Sequence, residues 1–328
     1  MEGTSLVSYV RSMSFLFFGG LVMYRWLCCL FISVSLLSSL QAEEKIKHSL
    51  FIAGPTFTGI LDESGQEVWN AGRAAARDGA VLENGNVLIC WTDEVRELTR
   101  AAKETVFHYR LSSENKELGT VQRLADGKTL ITELGAHPVL LEVNTDGTIH
   151  RRVPLQPETD NAHMQTRMAR KLANGNYLVP HLLAFKVKEY DPTGKVVREI
   201  TTDREELGGR AAENWPFTAI RLENGNTLVN LTHGNKTVEF DADGRIVWRA
   251  SNEDVAGKPF ADPCGAQRLP NGNTVIASYG AKRQDGIVKV FEVNPNKQLV
   301  WQYTGPHRAH EIQVLTTNGE PVRGVPLR

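Results

Sequence analysis

Six times along this 328-residue chain a leucine leads into a short turn centred on Asn-Gly or Asp-Gly, and an apolar run follows. The copies are residues 82–88 (LENGNVL), 124–130 (LADGKTL), 172–178 (LANGNYL), 222–228 (LENGNTL) and 269–275 (LPNGNTV), with a degraded sixth at 315–322 (LTTNGEPV). Their turn glycines, Gly85, Gly127, Gly175, Gly225, Gly272 and Gly319, are spaced by 42, 48, 50, 47 and 47 residues. Asn-Gly between apolar runs is the strongest short-range hairpin signal, and a type I′ turn with φ > 0 at both central residues is the geometry it predicts. Each copy is therefore expected to join two strands, a and b.

A second element follows roughly 20 residues later in each repeat. It is an alternating strand, an Asp-x-x-Gly turn and a strand with a large side chain, clearest at residues 238–248 (VEFDADGRIVW). The other copies lie at 60–69, 96–107, 141–151, 188–198 and 291–301, and Trp69, Phe107, Arg151, Arg198, Trp248 and Trp301 share one position. This hairpin supplies strands c and d, and a large residue on the outer strand suits the wedge between neighbouring sheets. Four antiparallel strands per repeat, six times over, predict an all-β, six-bladed β-propeller. The repeats begin with a lone c–d hairpin (residues 57–69) and end with a lone a–b hairpin (312–322). The ring is expected to close by joining these two halves in one blade.

The first 42 residues differ in kind. Residues 26–40 (WLCCLFISVSLLSSL) are uncharged and apolar, Arg25 precedes them and Gln41-Ala42 follows. That order describes a secretory signal peptide, so residues 1–42 are assigned to a signal and 43–328 to the propeller, with a periplasmic or secreted location. The alternative is an uncleaved anchor, since residues 13–23 are also apolar, and only then would the chain have a membrane partner. Met23 is a second candidate start. Once Cys28 and Cys29 leave with the signal, Cys90 and Cys264 remain. They lie in different repeats and are expected to be free packed thiols. A net charge of −1 with 23% charged residues gives no electrostatic basis for binding nucleic acid.

Connectivity decides where chemistry can sit. The a–b and c–d turns of a blade lie on one face and are tight. The b–c loops and d–a connections lie on the other and are longer, so this second face is the candidate. Six of nine histidines map to it: His137, His163, His181, His233, His307 and His310. Strand a is innermost, so residues just before it point toward the axis. Seven residues before each turn Asn or Asp stand Arg77, Gly119, Arg167, Phe217, Cys264 and Glu311; nine before stand Ala75, Glu117, Gln165, Trp215 and Asp262, with Arg308 ten before the last turn Asn. Mixed arginine, carboxylate, histidine and tryptophan can bind a polar or anionic small molecule. The binding candidates are Arg77, Gln165, His181, Trp215, His233, Asp262 and Glu311. The same side chains read equally well as pairs that fill the axis. No HExxH, paired Cys-x-x-Cys or Asp-rich calcium loop is present, and neither metal nor cofactor is expected. Asp191, Asp241 and Asp243 read as turn formers, and Asn230 and Asn235 head glycosylation sequons.

The Asp-x-x-Gly-x-x-Val-Trp element, as at 241–248, resembles the repeat of the quinoprotein-like propeller superfamily. Paired with Leu-x-Asn-Gly-Asn, as at 222–226 and 269–273, it is more similar to the bacterial arylsulfotransferase-type propellers and their exported relatives. The resemblance spans nearly the whole mature chain. A quinone-dependent dehydrogenase is disfavoured, because such enzymes resemble larger eight-bladed rings and the adjacent cysteine pair is absent from residues 43–328. In arylsulfotransferases a histidine takes the sulfuryl group while other histidines and arginines steady its charge. The resemblance implies that role for His163 and Arg167, with His310 opposite. Two functions follow from the sequence. One is an exported binding propeller that recognises a small molecule, glycan or protein through the d–a/b–c face. The other is an arylsulfotransferase-like transferase or hydrolase using these three residues.

Overall fold

The computed structural model describes residues 45–324 and 326–328, so the signal-peptide assignment lies outside the described residues. The first three strands are β1 (His48–Ala53), β2 (Thr58–Leu61) and β3 (Glu67–Asn70). Five complete blades follow, each in the order a to d. They are β4 (Asp78–Val81), β5 (Val87–Cys90), β6 (Glu94–Leu98) and β7 (Thr105–Arg110); then β8 (Asn115–Arg123), β9 (Thr129–Gly135), β10 (Val139–Val143) and β11 (Ile149–Pro154). The third blade is β12 (Arg170–Lys171), β13 (Tyr177–His181), β14 (Lys186–Tyr190) and β15 (Val196–Thr201). The fourth is β16 (Pro216–Arg221), β17 (Thr227–Leu231), β18 (Lys236–Phe240) and β19 (Ile246–Ser251). The fifth is β20 (Pro263–Arg268), β21 (Thr274–Ser278), β22 (Val290–Val293) and β23 (Leu299–Tyr303), after which come β24 (Glu311–Thr317) and β25 (Glu320–Pro321).

The architecture is the expected six-bladed propeller, but its closure is not the expected one. The sixth sheet runs β25-β24-β1-β2-β3. Strand a comes from the C-terminal side, while b, c and d all come from the N-terminal side. The joint is one strand against three, not a c–d hairpin against an a–b hairpin. Residues 48–53 (HSLFIA) carry no turn signal of their own, so nothing local marks them as strand b. What places them is pairing with β24, from His48↔Thr317 to Ala53↔Glu311.

The repeat motif is explained residue by residue, and its turn differs from the prediction. Gly85, Gly127, Gly175, Gly225 and Gly272 have φ between 83° and 89°, while the residue before each stays at negative φ. Leu82 N–H donates to Asn86 O, and Gly85 N–H to Leu82 O. This is a three-residue loop, a type I turn followed by a left-handed glycine. Asn84 accepts the Asn86 N–H, and the same bond recurs from Asn176 to Asn174, Asn226 to Asn224 and Asn273 to Asn271. The second asparagine then donates to the strand-c glutamate of its own blade: Asn86 to Glu97, Asn176 to Glu189, Asn226 to Glu239 and Asn273 to Glu292. Only the degraded copy has both central residues at positive φ, Asn318 at 50° and Gly319 at 84°.

Those glutamates also link blades. Glu97 accepts from Arg123, Glu142 from Lys171, Glu189 from Arg221 at 2.9 Å, and Glu239 from Arg268 at 3.0 Å. At the joint between the fifth and closing blades the partner of Glu292 is His48, at 2.8 Å. The outer-strand position predicted to fill wedges also makes hydrogen bonds. Trp69 donates to Arg100 O, Arg151 to Pro192 O, Arg198 to Asp241 O and Trp248 to Pro295 O, all in c–d turns of the next blade. The Asp-x-x-Gly turns are closed as expected. Asp191 accepts from the Thr193 and Lys195 N–H groups, and Asp241 from those of Asp243 and Arg245.

Among the described residues the apolar core is divided. Six apolar clusters lie one per interface between adjacent blades; that between the first two, for example, joins Leu88, Val95 and Phe107 to Leu118, Ile131 and Leu141. A seventh, Met168, Leu182, Phe217 and Cys264, surrounds the axis. Cys90 and Cys264 are free and buried. Among the described residues no helix is long and apolar enough to cross a membrane.

Candidate functional site

The site is built on the innermost strands. Pairing register makes Asp78, opposite Cys90, equivalent to Glu311, opposite Ala53. The residue before each then faces the mouth of the axis. Across the blades this position holds Arg77, Gly119, Arg167, Phe217, Cys264 and His310, and all but Gly119 line one cavity of about 350 Å³. Counting back from Asn318 pointed to Glu311 instead of His310. The last strand a carries one residue more than its counterparts before its turn, and that shifts the count by one.

The d–a connections and b–c loops complete the wall. From the former come Ala75, His163, Met164, Trp215 and Asp262; from the latter come Pro55, Thr92, Leu182, Thr232, His233 and Tyr279. Ala75 (φ 62°) and Asp262 (φ 45°) hold left-handed backbone. Such conformations cost energy in non-glycine residues and persist where surrounding bonds impose them. Here Ala75 N–H donates to Gly54 O, and Asp262 N–H to the Asn235 side chain at 2.7 Å.

Two arginines meet one carboxylate at the floor. Arg77 grips Glu117 with both terminal nitrogens, at 2.8 and 2.7 Å. His163 Nδ1 lies 3.2 Å from Arg77 and 3.5 Å from Glu117. Burial works against the Glu117 carboxylate, but bonds from His163 and Arg77 outweigh it and hold its pKa at about 2. Arg167 is 4% exposed; its Nη1 donates to Thr166 O, and its Nη2 stands 3.8 Å from Glu117. On the walls, Trp215 stacks on His233 with centroids 4.1 Å apart, and Tyr279 stacks on His310 at 4.3 Å. His310 Nδ1 is 3.1 Å from Ala76 O, and burial lowers its pKa to about 4, so it is neutral at physiological pH.

The predicted residues thus separate. His163, Arg167, His310, Arg77, Trp215, His233 and Asp262 line the cavity. Gln165, His181 and Glu311 do not. Gln165 is buried, bonding Gly135 N–H, Gly135 O and Thr159 O, which clamps its loop to the second blade. His181 is fully buried between Gln165 O and the Tyr190 hydroxyl, and burial takes its pKa down to about 3. Glu311 lies deeper, in a charge cluster that fills the axis. Arg170 donates to Asp78 at 2.8 Å and reaches Glu311 at 3.6 Å, while Arg328 approaches the same two acids at 3.7 and 4.0 Å. Both readings of the axial residues are therefore realised, at different depths: a cavity above and paired charges below. His137 and His307 lie outside the cavity lining; His307 stacks on Phe57. Glu117, Tyr279 and Met164 are additions. Glu117 had a register signal, whereas the b–c residue Tyr279 had none.

Neither sequon asparagine is free. Asn230 is 1% exposed and bonds Cys264 O, and both polar atoms of Asn235 are engaged. No group of three or more His, Cys, Asp or Glu among the described residues is arranged to hold a metal ion.

Fold and site together define a six-bladed propeller with a blind pocket at one mouth of a plugged axis. The model of the Mal s 1 allergenic protein-like family matches residues 55–308, and the chain belongs to that family. The propeller half of the quinoprotein and arylsulfotransferase resemblance stands; the match lends no support to those two families themselves. No curated protein matches. Among solved structures, a protein of unknown function from Bacteroides caccae is 21% identical with a TM-score of 0.68, covering 85% of this chain and 100% of its own. A catalytically inactive histidine-to-alanine variant of virginiamycin B lyase from Staphylococcus aureus, with quinupristin, is 13% identical at a TM-score of 0.51, covering 71% and 70%. A streptogramin B lyase is 15% identical at 0.53, covering 76% of each chain. At these identities the likeness is one of fold.

Proposed function

We propose that this chain is an exported binding propeller that takes a small molecule in the axial pocket of its d–a/b–c face. One observation carries the reading: a cavity of about 350 Å³ with aromatic walls and a charged floor. Ligand sites are typically concave and largely apolar, with a few fixed polar groups. The paired charges beneath make the cavity a dead end, which suits retention of a ligand and not passage. Export rests on the apolar segment at residues 26–40. N-terminal sequencing of the secreted or periplasmic fraction tests it, and retention of residues 1–42 in a membrane fraction would count against it.

The functional test is a thermal-shift screen against sugars, phenols and organic acids. A ligand at a hundred times its Kd adds about 2.7 kcal/mol of stability. The expected hit stabilises the native protein and does so less in Trp215→Ala. If no compound stabilises, or if every hit is indifferent to Trp215→Ala and Phe217→Ala, the pocket is not the binding site.

One observation favours a catalytic second reading. The bond from His310 Nδ1 to Ala76 O fixes the proton on that nitrogen and leaves Nε2 as a base. Turnover of an aryl sulfate with a phenolic acceptor, abolished in His310→Gln and His163→Ala, is the result this reading requires.

A further inference from the structure

The charge balance of the floor says what kind of ligand the pocket takes, granted the pocket reading above. Arg77 is satisfied by its two-pronged bond to Glu117. Arg167 is not. It is 4% exposed, one terminal nitrogen donates to Thr166 O, and the other is past hydrogen-bonding distance from Glu117 at 3.8 Å with no other acceptor among the described residues. Arg170, three residues further along the chain and also buried, makes the contrast. Burial lowers its pKa, but Asp78 and Glu311 more than offset that and raise it. For Arg167, burial and then repulsion from Arg77 prevail and lower it to about 9, still protonated at neutral pH. Arg167 is a guanidinium short of counter-charge, facing a cavity.

Two buried guanidiniums against one carboxylate leave the floor with one positive charge in excess, because neutral His310 adds none and the other lining carboxylate, Asp262, lies on the wall 3.9 Å from His233. A single negative charge restores the balance. A doubly charged group would bring repulsion from Glu117 instead. The free edge of a guanidinium matches a planar carboxylate. Above it, the stacked pairs Trp215–His233 and Tyr279–His310 present flat surfaces that suit an aromatic ring. We propose that the pocket binds an aromatic carboxylate, its carboxylate on Arg167 and its ring against these stacked walls.

Three probes of one shape test this by calorimetric titration of the purified protein: 2-naphthoate, its neutral amide 2-naphthamide, and the dianion 2-naphthyl phosphate. A charged hydrogen bond to Arg167 predicts that the carboxylate binds at least about tenfold tighter than the amide. The phosphate should bind no tighter than the carboxylate. Arg167→Gln should bring the carboxylate-to-amide ratio to about one, Arg167→Lys should keep part of it, and Trp215→Ala should weaken all three probes alike. Equal affinity of carboxylate and amide for the native protein overturns the proposal, even if Arg167→Gln fails to fold. Tighter binding of the phosphate overturns the monoanion. If none of the probes binds while a screening hit still depends on Trp215, the ligand class is wrong and the pocket reading stands. If no Trp215-dependent hit exists at all, both fall.

Discussion

Replacing Asp78 with asparagine should be among the most damaging single changes of near-constant shape in this protein. Asp78 is fully buried at the axis and accepts four hydrogen bonds. They come from its neighbour Gly79 N–H at 2.8 Å, from Val121 N–H in the second blade at 2.9 Å, and from Arg170 in the third at 2.8 and 3.3 Å. Three blades therefore converge on one carboxylate. Asparagine keeps the volume, but its amide nitrogen must face one of these donors, and Arg170 loses its closest counter-charge. Breaking a buried pair by removing one partner costs about 3–5 kcal/mol. At roughly 2–4 °C per kcal/mol for a domain of this size, the melting temperature should fall on the order of 10 °C. The control is Asp78→Thr with Arg170→Gln, which installs residues found at the equivalent positions of the second blade, Thr120 and Gln122, and removes both charges together. That double variant should recover most of the loss, because it leaves no uncompensated buried charge. Urea unfolding followed by both circular dichroism and tryptophan fluorescence measures the difference and checks that the transition is a single step. A loss below about 1 kcal/mol in Asp78→Asn, or a double variant as unstable as the summed singles, would refute the argument.

Further outcomes can be checked with the same material. Glu189→Ala removes the acceptor shared by Asn176, Asn174 and Arg221 across the third and fourth blades, and should cost about 1.5–3 kcal/mol in urea unfolding. Gly225→Ala places a Cβ in open space at φ 85°, so its cost of about 1–2 kcal/mol should be conformational only, with no change in pocket binding. Burial raises the thiol pKa of both Cys90 and Cys264. Cys90, which lies outside the cavity, should not react with a thiol reagent until the chain unfolds, and its fast labelling in the native protein would contradict its packing. His181 and His310 have pKa values lowered by burial to about 3 and about 4, so the unfolded chain binds more protons as pH falls below about 6.5, and stability should drop on acidification. Glu311, raised by burial, has the opposite sign. Burial lowers the His307 pKa as well, so three histidines stand against one carboxylate; the net loss is at least about 1.4 kcal/mol per pH unit between roughly pH 6 and 5, and His181→Gln should reduce that slope. Stability that rises on acidification over this range would show the signs to be wrong.

Blade number was legible because each blade carries its own local signals. The spacing of Gly85 to Gly319 and the Asp-x-x-Gly turns depend on residues a few positions apart, and local chemistry decides them. The turn type was misread for a local reason as well: Leu-x-Asn-Gly-Asn is a three-residue loop, since the residue after glycine bonds back to the leucine. A face for the site was legible from loop lengths. Within it, the repeat register gave Arg77, Arg167, Trp215 and Asp262 and the histidines of that face gave His163, His233 and His310, while the register count slipped by one at the degraded copy and pointed to Glu311 in place of His310.

By itself, then, the sequence determined the number of blades, the residues that turn the chain, and the ring of positions that points at the axis. These follow from periodicity and short-range hydrogen bonding. Only the tertiary structure decided the one-against-three closure through residues 48–53, because pairing of β1 with β24 joins segments more than 250 residues apart. It also decided which charges cancel. Arg77, Arg167 and Arg170 look alike in the chain, yet one is bound to Glu117, one is left facing the cavity and one is held by Asp78, because each partner arrives on a different blade.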